Sequence, residues 1–212
     1  MENENVMKTG TTTIGMVCKD GLVMAADRRA TIGYMIANKK AEKVFPINDR
    51  MVITIAGNVS DAQLLTKLIK AELKLKNIRT GREINVKEAA NLLGGLVYSN
   101  IRRLSLIPGI SHFLLGGIDR DGLHLYDLFA DGSVTECDDY VSSGSGSVFA
   151  YGVLETLYNK NITVKDGVEL ILKAINAALQ RDIASGSGID VVTVTKDGIK
   201  KVFDKELNIS IK

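Results

Sequence analysis

A run of three threonines at residues 11–13 follows Gly10 close to the start of the chain. A threonine hydroxyl can attack a carbonyl carbon, but it is a weak nucleophile at neutral pH and needs a base close by. A free α-amino group could be such a base, because its pKa is about 8, against about 10.4 for lysine. An ordinary threonine-rich edge strand is the alternative interpretation of this run by itself.

A carboxylate is expected close to these threonines. Residues 11–18 are rich in β-branched side chains and alternate in polarity, and a second apolar run follows the turn that ends at Gly21, which indicates a β-hairpin. With Gly21 in the left-handed position of a three-residue loop, Thr13 pairs with Asp27. This register predicts that Asp27 lies on the same face as Thr11, about 7–8 Å away between backbones.

Periodicity, turn signals and capping residues predict the remaining elements. Further strands are expected at residues 44–47, 51–56, 112–118, 123–129, 133–141, 189–195 and 198–202. Helices are expected at 60–76, 86–106, 148–158 and 164–181. Ser60 with Gln63 is the expected capping box of the first helix, and its expected buried stripe is Leu64, Leu65, Leu68, Ile69 and Leu73.

The order of these elements indicates the fold class. Strands joined by short hairpins are antiparallel, and strands, two helices, strands, two helices and strands follow one another along the chain. We therefore predict an α+β fold, a four-layer αββα sandwich of two antiparallel sheets, although other α+β domains share this order. Residues 11–212 are expected to form one domain after a short polar lead, residues 1–10, that lacks the features of a secretory signal.

Composition argues against several classes of function. The 212 residues have a formal net charge of only +2, so nucleic acid is not an expected partner. No apolar run approaches the roughly 20 residues that span a bilayer, and no membrane association is expected. The two cysteines suggest neither a disulfide framework nor a zinc site, which suits a reducing cytoplasm. The glycine-rich pieces lack phosphate-loop signatures, and we expect no cofactor and no metal.

Short motifs follow one another along nearly the whole chain after Gly10. They are Thr11-Thr-Thr-Ile-Gly15, Ala26-Asp27-Arg28-Arg29-Ala30-Thr31, Lys43-Val44-Phe45, Ile55-Ala56-Gly57, Gly144-Ser-Gly146 leading to Tyr151-Gly-Val-Leu-Glu155, and Arg181-Asp182-Ile-Ala-Ser185-Gly186. Each motif alone is weak, but in this order and spacing they resemble the proteasome β subunits of the archaeal type. That family belongs to the N-terminal nucleophile hydrolases, whose fold is the αββα sandwich.

The resemblance implies a catalytic role for each residue at a matching position. Thr11 matches the nucleophile, Lys43 the buried lysine beside it, and Asp27 the acid that pairs with that lysine. Gly57 matches the residue whose backbone N–H stabilises the oxyanion. The polar residues that hold the α-amino group and its water match Ser145, Asp182 and Ser185. Cleavage between Gly10 and Thr11 would expose the α-amino group, and none of these positions is altered.

The resemblance also implies how a substrate would bind. Thr31 and Gly57 match backbone positions that hold an extended peptide. The first specificity pocket corresponds to Ala30, Ala41, Phe45, Ile55 and Val59. These pocket residues are apolar, so cleavage after large apolar residues is expected.

Assembly is a further implication of the resemblance. The family forms four stacked seven-membered rings, two β rings between two α rings, and a ring ATPase feeds unfolded protein into them. We therefore expect α-type and other β-type subunits as partners. Three alternatives stay open: a structural β subunit that does not cut, a related peptidase of two six-membered rings, and an unrelated binding domain.

Overall fold

The structure, a computed structural model, describes residues 10–207. Its strands are β1 Thr13–Cys18, β2 Gly21–Asp27, β3 Ala30–Ile32, β4 Met35–Asn38, β5 Val44–Pro46, β6 Met51–Gly57, β7 Ser111–Asp119, β8 Gly122–Leu128, β9 Val134–Cys137, β10 Tyr140–Ser143, β11 Gly188–Thr195 and β12 Gly198–Glu206. Its helices are α1 Val59–Thr80, α2 Val86–Ile101, α3 Ser147–Leu157 and α4 Val164–Arg181. No helix within residues 10–207 is long and apolar enough to cross a membrane.

Two five-stranded antiparallel sheets lie face to face between two helix pairs. The strand order is β10-β1-β2-β11-β12 in the first sheet and β5-β6-β7-β8-β9 in the second. Apolar side chains between the sheets include Leu22, Met24, Leu114, Leu125 and Val192. Helices α3 and α4 pack on the outer face of the first sheet, and α1 and α2 pack on the outer face of the second. The predicted α+β, four-layer αββα sandwich is confirmed.

The turn between β1 and β2 is one residue shorter than expected. Cys18 pairs with Gly21, so only residues 19–20 form the turn. Gly21 lies within β2, where an added Cβ atom would come within 2.6 Å of the carbonyl oxygen of Val194 in β11. This glycine therefore allows close packing of neighbouring strands instead of supplying a left-handed turn.

The shorter turn changes the pairing at the far end of the hairpin. Thr13 pairs with Ala26, and the backbone nitrogen of Asp27 donates to the carbonyl oxygen of Thr12 at 3.1 Å. The predicted pairing of Thr13 with Asp27 is therefore wrong by one residue. The prediction that Asp27 shares the face of Thr11 is wrong as well, because a slip of one residue moves each side chain to the opposite face. The Asp27 carboxylate instead reaches the backbone of Thr12, the residue after Thr11.

Helix α1 begins and packs differently from the prediction. Its N-cap is Asn58, whose side chain accepts a hydrogen bond from the Ser60 nitrogen at 3.2 Å, so the expected Ser60–Gln63 capping box is wrong. Leu64 and Leu68 are 47% and 39% exposed. The helix buries a face that is rotated from the expected stripe, made of Ala62, Leu65, Thr66, Ile69 and Leu73.

Helix α2 ends at Ile101, five residues before its predicted end. The Asn100 side chain donates to the Gly109 carbonyl oxygen at 3.1 Å and to Asp61 at 2.9 Å. The connection to β7 therefore folds back across the end of the helix and cannot continue it. Within this connection Leu104 is fully exposed, so no burial favours a longer helix.

Two features of the sheets were not predicted. The expected strand at residues 133–141 is two strands, because β9 pairs with β8 in the second sheet and β10 pairs with β1 in the first. The hairpin of β3 and β4 was missed entirely. Its strands are three and four residues long, and every residue of β4 is exposed, so neither strand carries the alternating pattern that sequence analysis depends on.

Candidate active site

Thr11 lies in the segment that leads into β1, and a glycine-rich turn packs closely against it. Its backbone nitrogen donates to the Ser145 hydroxyl at 3.3 Å, and its own hydroxyl donates to the Gly10 carbonyl oxygen at 2.7 Å. The Gly146 nitrogen donates to the Thr11 carbonyl oxygen. Gly144 has a φ of 92°, and a Cβ atom there would lie 2.1 Å from that oxygen. Only glycine fits at this position.

The carboxylate of Asp27, at the end of β2, is fully buried and accepts four hydrogen bonds. Its Oδ1 accepts from the Lys43 ammonium at 2.7 Å and from the Thr12 nitrogen at 2.9 Å. Its Oδ2 accepts from the Arg29 nitrogen at 2.9 Å and from the Gly186 nitrogen at 2.8 Å. A buried carboxylate with this many donors is satisfied as an anion.

Lys43 precedes β5, in the second sheet, and its side chain is only 7% exposed. Its carbonyl oxygen accepts from the Ile55 nitrogen, so the pairing of β5 with β6 also fixes its backbone. Burial lowers the pKa of Lys43, and the positive charge of Arg29 lowers it further, while Asp27 and Asp182 act in the opposite direction. A lysine with a lowered pKa exchanges its proton more readily near neutral pH.

Asp182, at the C-terminal end of α4, accepts hydrogen bonds from two serine hydroxyl groups of the site. Its Oδ2 accepts from the hydroxyls of Ser145 and Ser185, each at 2.6 Å. The Ser185 oxygen lies 2.7 Å from the Thr12 hydroxyl. Because Ser185 donates its single proton to Asp182, Thr12 is the donor in this second contact.

Six of the seven predicted catalytic residues belong to one continuous hydrogen-bond network: Thr11, Asp27, Lys43, Ser145, Asp182 and Ser185. Thr12 closes the network, because its hydroxyl contacts Ser185 and its nitrogen contacts Asp27. Sequence reasoning assigned no role to Thr12 or to Arg29. With the correct register of the first hairpin, Thr12 would have been predicted to lie next to Asp27. For Arg29, the only sequence signal of a role in the site is its position two residues after Asp27.

Gly57, the seventh predicted catalytic residue, lies outside this network at the end of β6. Its φ is 102°, and a Cβ atom at this position would lie 2.4 Å from the Ile110 carbonyl oxygen. That oxygen accepts from the Asn58 nitrogen at 2.8 Å. The close backbone approach requires glycine, and it fixes the chain where β6 passes into α1.

A cavity of about 730 Å³ opens beside Thr11. Its lining includes all seven residues predicted to bind substrate: Ala30, Thr31, Ala41, Phe45, Ile55, Gly57 and Val59. Five lining side chains are cationic, namely Arg29, Lys40, Lys43, Lys67 and Lys70, whereas Glu42 is the one carboxylate among them. The Lys70 ammonium lies 5.8 Å from the centre of the Phe45 ring. The cavity therefore combines an apolar surface with a positive charge.

Two antiparallel sheets between two helix layers are the sandwich fold of the N-terminal nucleophile hydrolases. The family described as "Proteasome subunit" matches residues 7–194. The chain is 45% identical over 207 residues to a proteasome subunit beta of Archaeoglobus profundus, covering 98% of this chain and 94% of the relative. It is 48% identical over 197 residues to that of Methanobrevibacter smithii, covering 93% and 92%.

A third relative, the proteasome subunit beta of Methanocaldococcus jannaschii, is 40% identical over 204 residues, which cover 96% of this chain and 89% of the relative. The chain belongs to the proteasome subunit family, as a β subunit of the archaeal type. Membership of this family implies assembly with other proteasome subunits.

Proposed function

We propose that this chain is a catalytic β subunit of the proteasome core, a threonine peptidase whose nucleophile is the Thr11 hydroxyl. The observation that carries the proposal is the buried ion pair of Lys43 and Asp27. The Asp27 oxygen that accepts from Lys43 also accepts from the Thr12 nitrogen. A buried ion pair contributes little net stability. Its position beside a threonine is what the chemistry of a hydroxyl nucleophile needs.

The base that activates Thr11 differs before and after processing. While Gly10 is attached, the Thr11 nitrogen is an amide and cannot accept a proton. The neutral amine form of Lys43, which burial makes more accessible by lowering the pKa of this lysine, is then the nearby group that can take the hydroxyl proton. After cleavage the α-amino group, with a pKa of about 8 in solution, becomes a second base next to the same hydroxyl. Ser145 contacts this nitrogen and would keep it oriented.

We further propose that the chain cleaves itself between Gly10 and Thr11. The Thr11 hydroxyl hydrogen-bonds to the carbonyl group that it would attack. Attack forms an ester between Gly10 and Thr11 and leaves the Thr11 nitrogen as a free amine, and water then hydrolyses the ester. Residues 1–10 would be the propeptide and residues 11–212 the mature subunit, with residues 1–9 outside the described part of the chain.

The other predicted residues would support the same reaction. The Gly57 N–H would stabilise the tetrahedral oxyanion, a contribution of about 3–4 kcal/mol in comparable sites. Asp182 and Ser185 would orient Ser145 and the water that completes hydrolysis. Thr31, whose hydroxyl accepts from the Gly10 nitrogen at 3.3 Å, supports binding of an extended peptide along the same path.

The apolar part of the cavity supports a preference for large apolar residues before the cut. Ala30, Ala41, Phe45, Ile55 and Val59 are all among its lining residues. Unfolded protein would reach the site inside two seven-membered β rings between two α rings, with a ring ATPase as regulator. The cytoplasm is the compartment that suits these partners.

Processing of Thr11 variants tests the proposal. The subunit is co-expressed with its α-type partner, and the assembled particle is analysed by intact mass and N-terminal sequence. The wild-type chain should begin at Thr11 and hydrolyse peptides. Thr11→Ala should keep residues 1–10 and lose peptidase activity, because the variant lacks the attacking oxygen.

Thr11→Ser is the matched control for this experiment. It keeps a hydroxyl on the same backbone and should be processed and active, although more slowly. If the wild-type chain keeps residues 1–10 in a fully assembled particle, the subunit is structural and the catalytic roles are withdrawn. Normal processing of Thr11→Ala would equally refute the assignment of the nucleophile.

A further inference from the structure

Arg29 connects the strand that carries Asp27 to the loop that carries Ser185. It lies two residues after Asp27, and its backbone nitrogen donates to the Asp27 carboxylate. Its guanidinium donates from Nη1 to the Ile183 carbonyl oxygen at 2.7 Å and, at the longer distance of 3.5 Å, from Nε to the Ser187 hydroxyl. The side chain therefore spans the loop between α4 and β11 from one end to the other.

The guanidinium also packs directly against the backbone at Gly186. A Cβ atom on Gly186 would lie 2.3 Å from Nη2 of Arg29 and 2.5 Å from its Cζ, so a larger residue there would displace the guanidinium from its present position. The Gly186 nitrogen donates to the same Asp27 oxygen that accepts from the Arg29 nitrogen. The position of this glycine thus depends on Arg29 above it and on Asp27 beside it.

The loop contains an unfavourable backbone conformation, which contacts with neighbouring residues must stabilise. Ser187 has a φ of 65° and is the one non-glycine residue with a positive φ among residues 10–207, a conformation that is unfavourable for a residue with a side chain. Ser185, two residues earlier, donates to Asp182 and accepts from Thr12. A shift of this loop would move the groups that orient Ser145 and, through it, the Thr11 nitrogen.

Arg29 has a second effect, through its charge. It adds to burial in lowering the pKa of Lys43. A cation at the same place also disfavours protonation of any other amine nearby, including the α-amino group of a processed Thr11. Removing the charge would raise the pKa of these groups, so that a lower fraction of them is neutral at a given pH.

We infer that Arg29 is a positioning residue of the proposed peptidase: its guanidinium holds the loop at residues 183–187 so that Ser185 and Asp182 keep the Thr11 nitrogen oriented. This inference rests on the proposed function and goes beyond it, because no catalytic role was assigned to Arg29. The residue need not touch the reacting atoms. It acts through backbone contacts to Ile183 and Gly186 and through its charge.

Two substitutions separate the geometric effect of Arg29 from the effect of its charge. Arg29→Lys keeps the charge but loses the fork that reaches both Ile183 and Ser187. Arg29→Gln loses both the positive charge and the fork. Each variant is co-expressed with the α-type partner, and kcat, KM and the pH dependence of kcat are measured on processed particles with a peptide that ends in leucine before the cut.

We expect kcat to fall about tenfold in both variants, because small displacements of catalytic groups have effects of this size or larger, while KM stays within about twofold. The acid limb of the pH–kcat profile should move to higher pH in Arg29→Gln and stay in place in Arg29→Lys. Arg181→Gln is the matched control, because it removes an exposed cation next to Asp182 that has none of these contacts, and it should match the wild type.

If both variants keep the kcat and the pH profile of the wild type, the inference is overturned. A rise in KM with unchanged kcat would also overturn it, and would make Arg29 a substrate-binding residue of the cavity. If Arg29→Gln does not assemble, the kcat of Arg29→Lys decides the question. Failure of the wild-type particle to process or to cleave would count against the proposed function instead.

Discussion

At the scale of single residues, the site depends on one carboxylate. Asp27 accepts from Lys43, from the backbone of Thr12 and Arg29, and from Gly186. These donors come from four separate places in the chain. Asp27 thus neutralises the buried lysine and also joins the start of β1 to the loop after α4, so its removal would affect charge and geometry together.

We predict that Asp27→Asn destabilises the subunit by about 3–5 kcal/mol, because it leaves the ammonium of Lys43 buried without a counterion. Lys43→Met leaves the carboxylate unpaired and should have a cost of similar size. The double variant should lose clearly less free energy of unfolding than the sum of the two single losses, since no unpaired charge remains. Chemical denaturation of the purified subunit measures all three free energies of unfolding. Additive losses would contradict a direct coupling of the pair.

At the scale of elements, the two helices on the second sheet begin with caps that sequence analysis did not predict. Asn58 caps α1. In α2, the Asn85 side chain accepts from the Glu88 nitrogen, and the Glu88 carboxylate accepts from the Asn85 nitrogen. Arg82 donates two hydrogen bonds to the same carboxylate, at 2.6 and 2.9 Å. The start of α2 therefore depends on Glu88 being ionised.

This dependence predicts an effect of acid on α2. The hydrogen bonds from Arg82 are the main cause that lowers the pKa of Glu88 to about 2, against about 4.3 for a free glutamate. Because the folded pKa is the lower one, the unfolded chain binds the proton first. The stabilisation is complete above about pH 4.3 and is lost as the pH falls towards about 2.

We expect the Tm of Glu88→Gln to fall less between about pH 5 and pH 3 than that of the wild type, because glutamine cannot be protonated in this range. Thermal unfolding followed by circular dichroism measures the difference. Glu83→Gln is the control, since it removes a nearby carboxylate that takes no part in the cap and lies 3.4 Å from Arg50. Parallel curves for wild type and Glu88→Gln would contradict the role of the cap.

At the scale of the whole molecule, the site exists only where the two sheets meet. Asp27 belongs to the first sheet and Lys43 precedes a strand of the second, and their ion pair bridges the two. The cavity likewise combines residues of the β3–β4 hairpin, of β5 and β6, and of α1. If this cavity binds the substrate as proposed, its apolar surface would favour apolar substrate side chains, and its cations would disfavour basic ones.

We therefore predict an order of cleavage: fastest after leucine or phenylalanine, slower after glutamate and slowest after arginine. A panel of fluorogenic peptides with the assembled particle measures this order. Lys70→Glu should raise cleavage after arginine relative to glutamate by about tenfold, because it reverses a charge on the cavity lining. Lys74→Glu, one turn further along α1 and outside the lining, should leave the ratio unchanged. Faster cleavage after arginine by the wild type would refute the predicted preference.

The amino-acid sequence by itself determined the order and type of most elements, the fold class and the family. These follow from local information: alternation in strands such as β1, the helical period of α4, and short motifs in a fixed order. The motifs also predicted a shared site for Thr11, Asp27, Lys43, Ser145, Asp182 and Ser185. The structure joins these six residues, through Thr12, in one hydrogen-bond network.

Only the tertiary structure decided the register of the first hairpin and the residues that depend on it. From the sequence, Gly21 could either form the turn or allow a close contact between strands. The close approach of Val194 in β11 shows that it does the latter. The contacts of Thr12 and Arg29 follow from that choice and from the position of the loop after α4. The contacts of Thr12 with Ser185 and of Arg29 with Ile183 join residues more than a hundred positions apart. No local pattern encodes them, because they form only once β2 and β11 have paired in the first sheet.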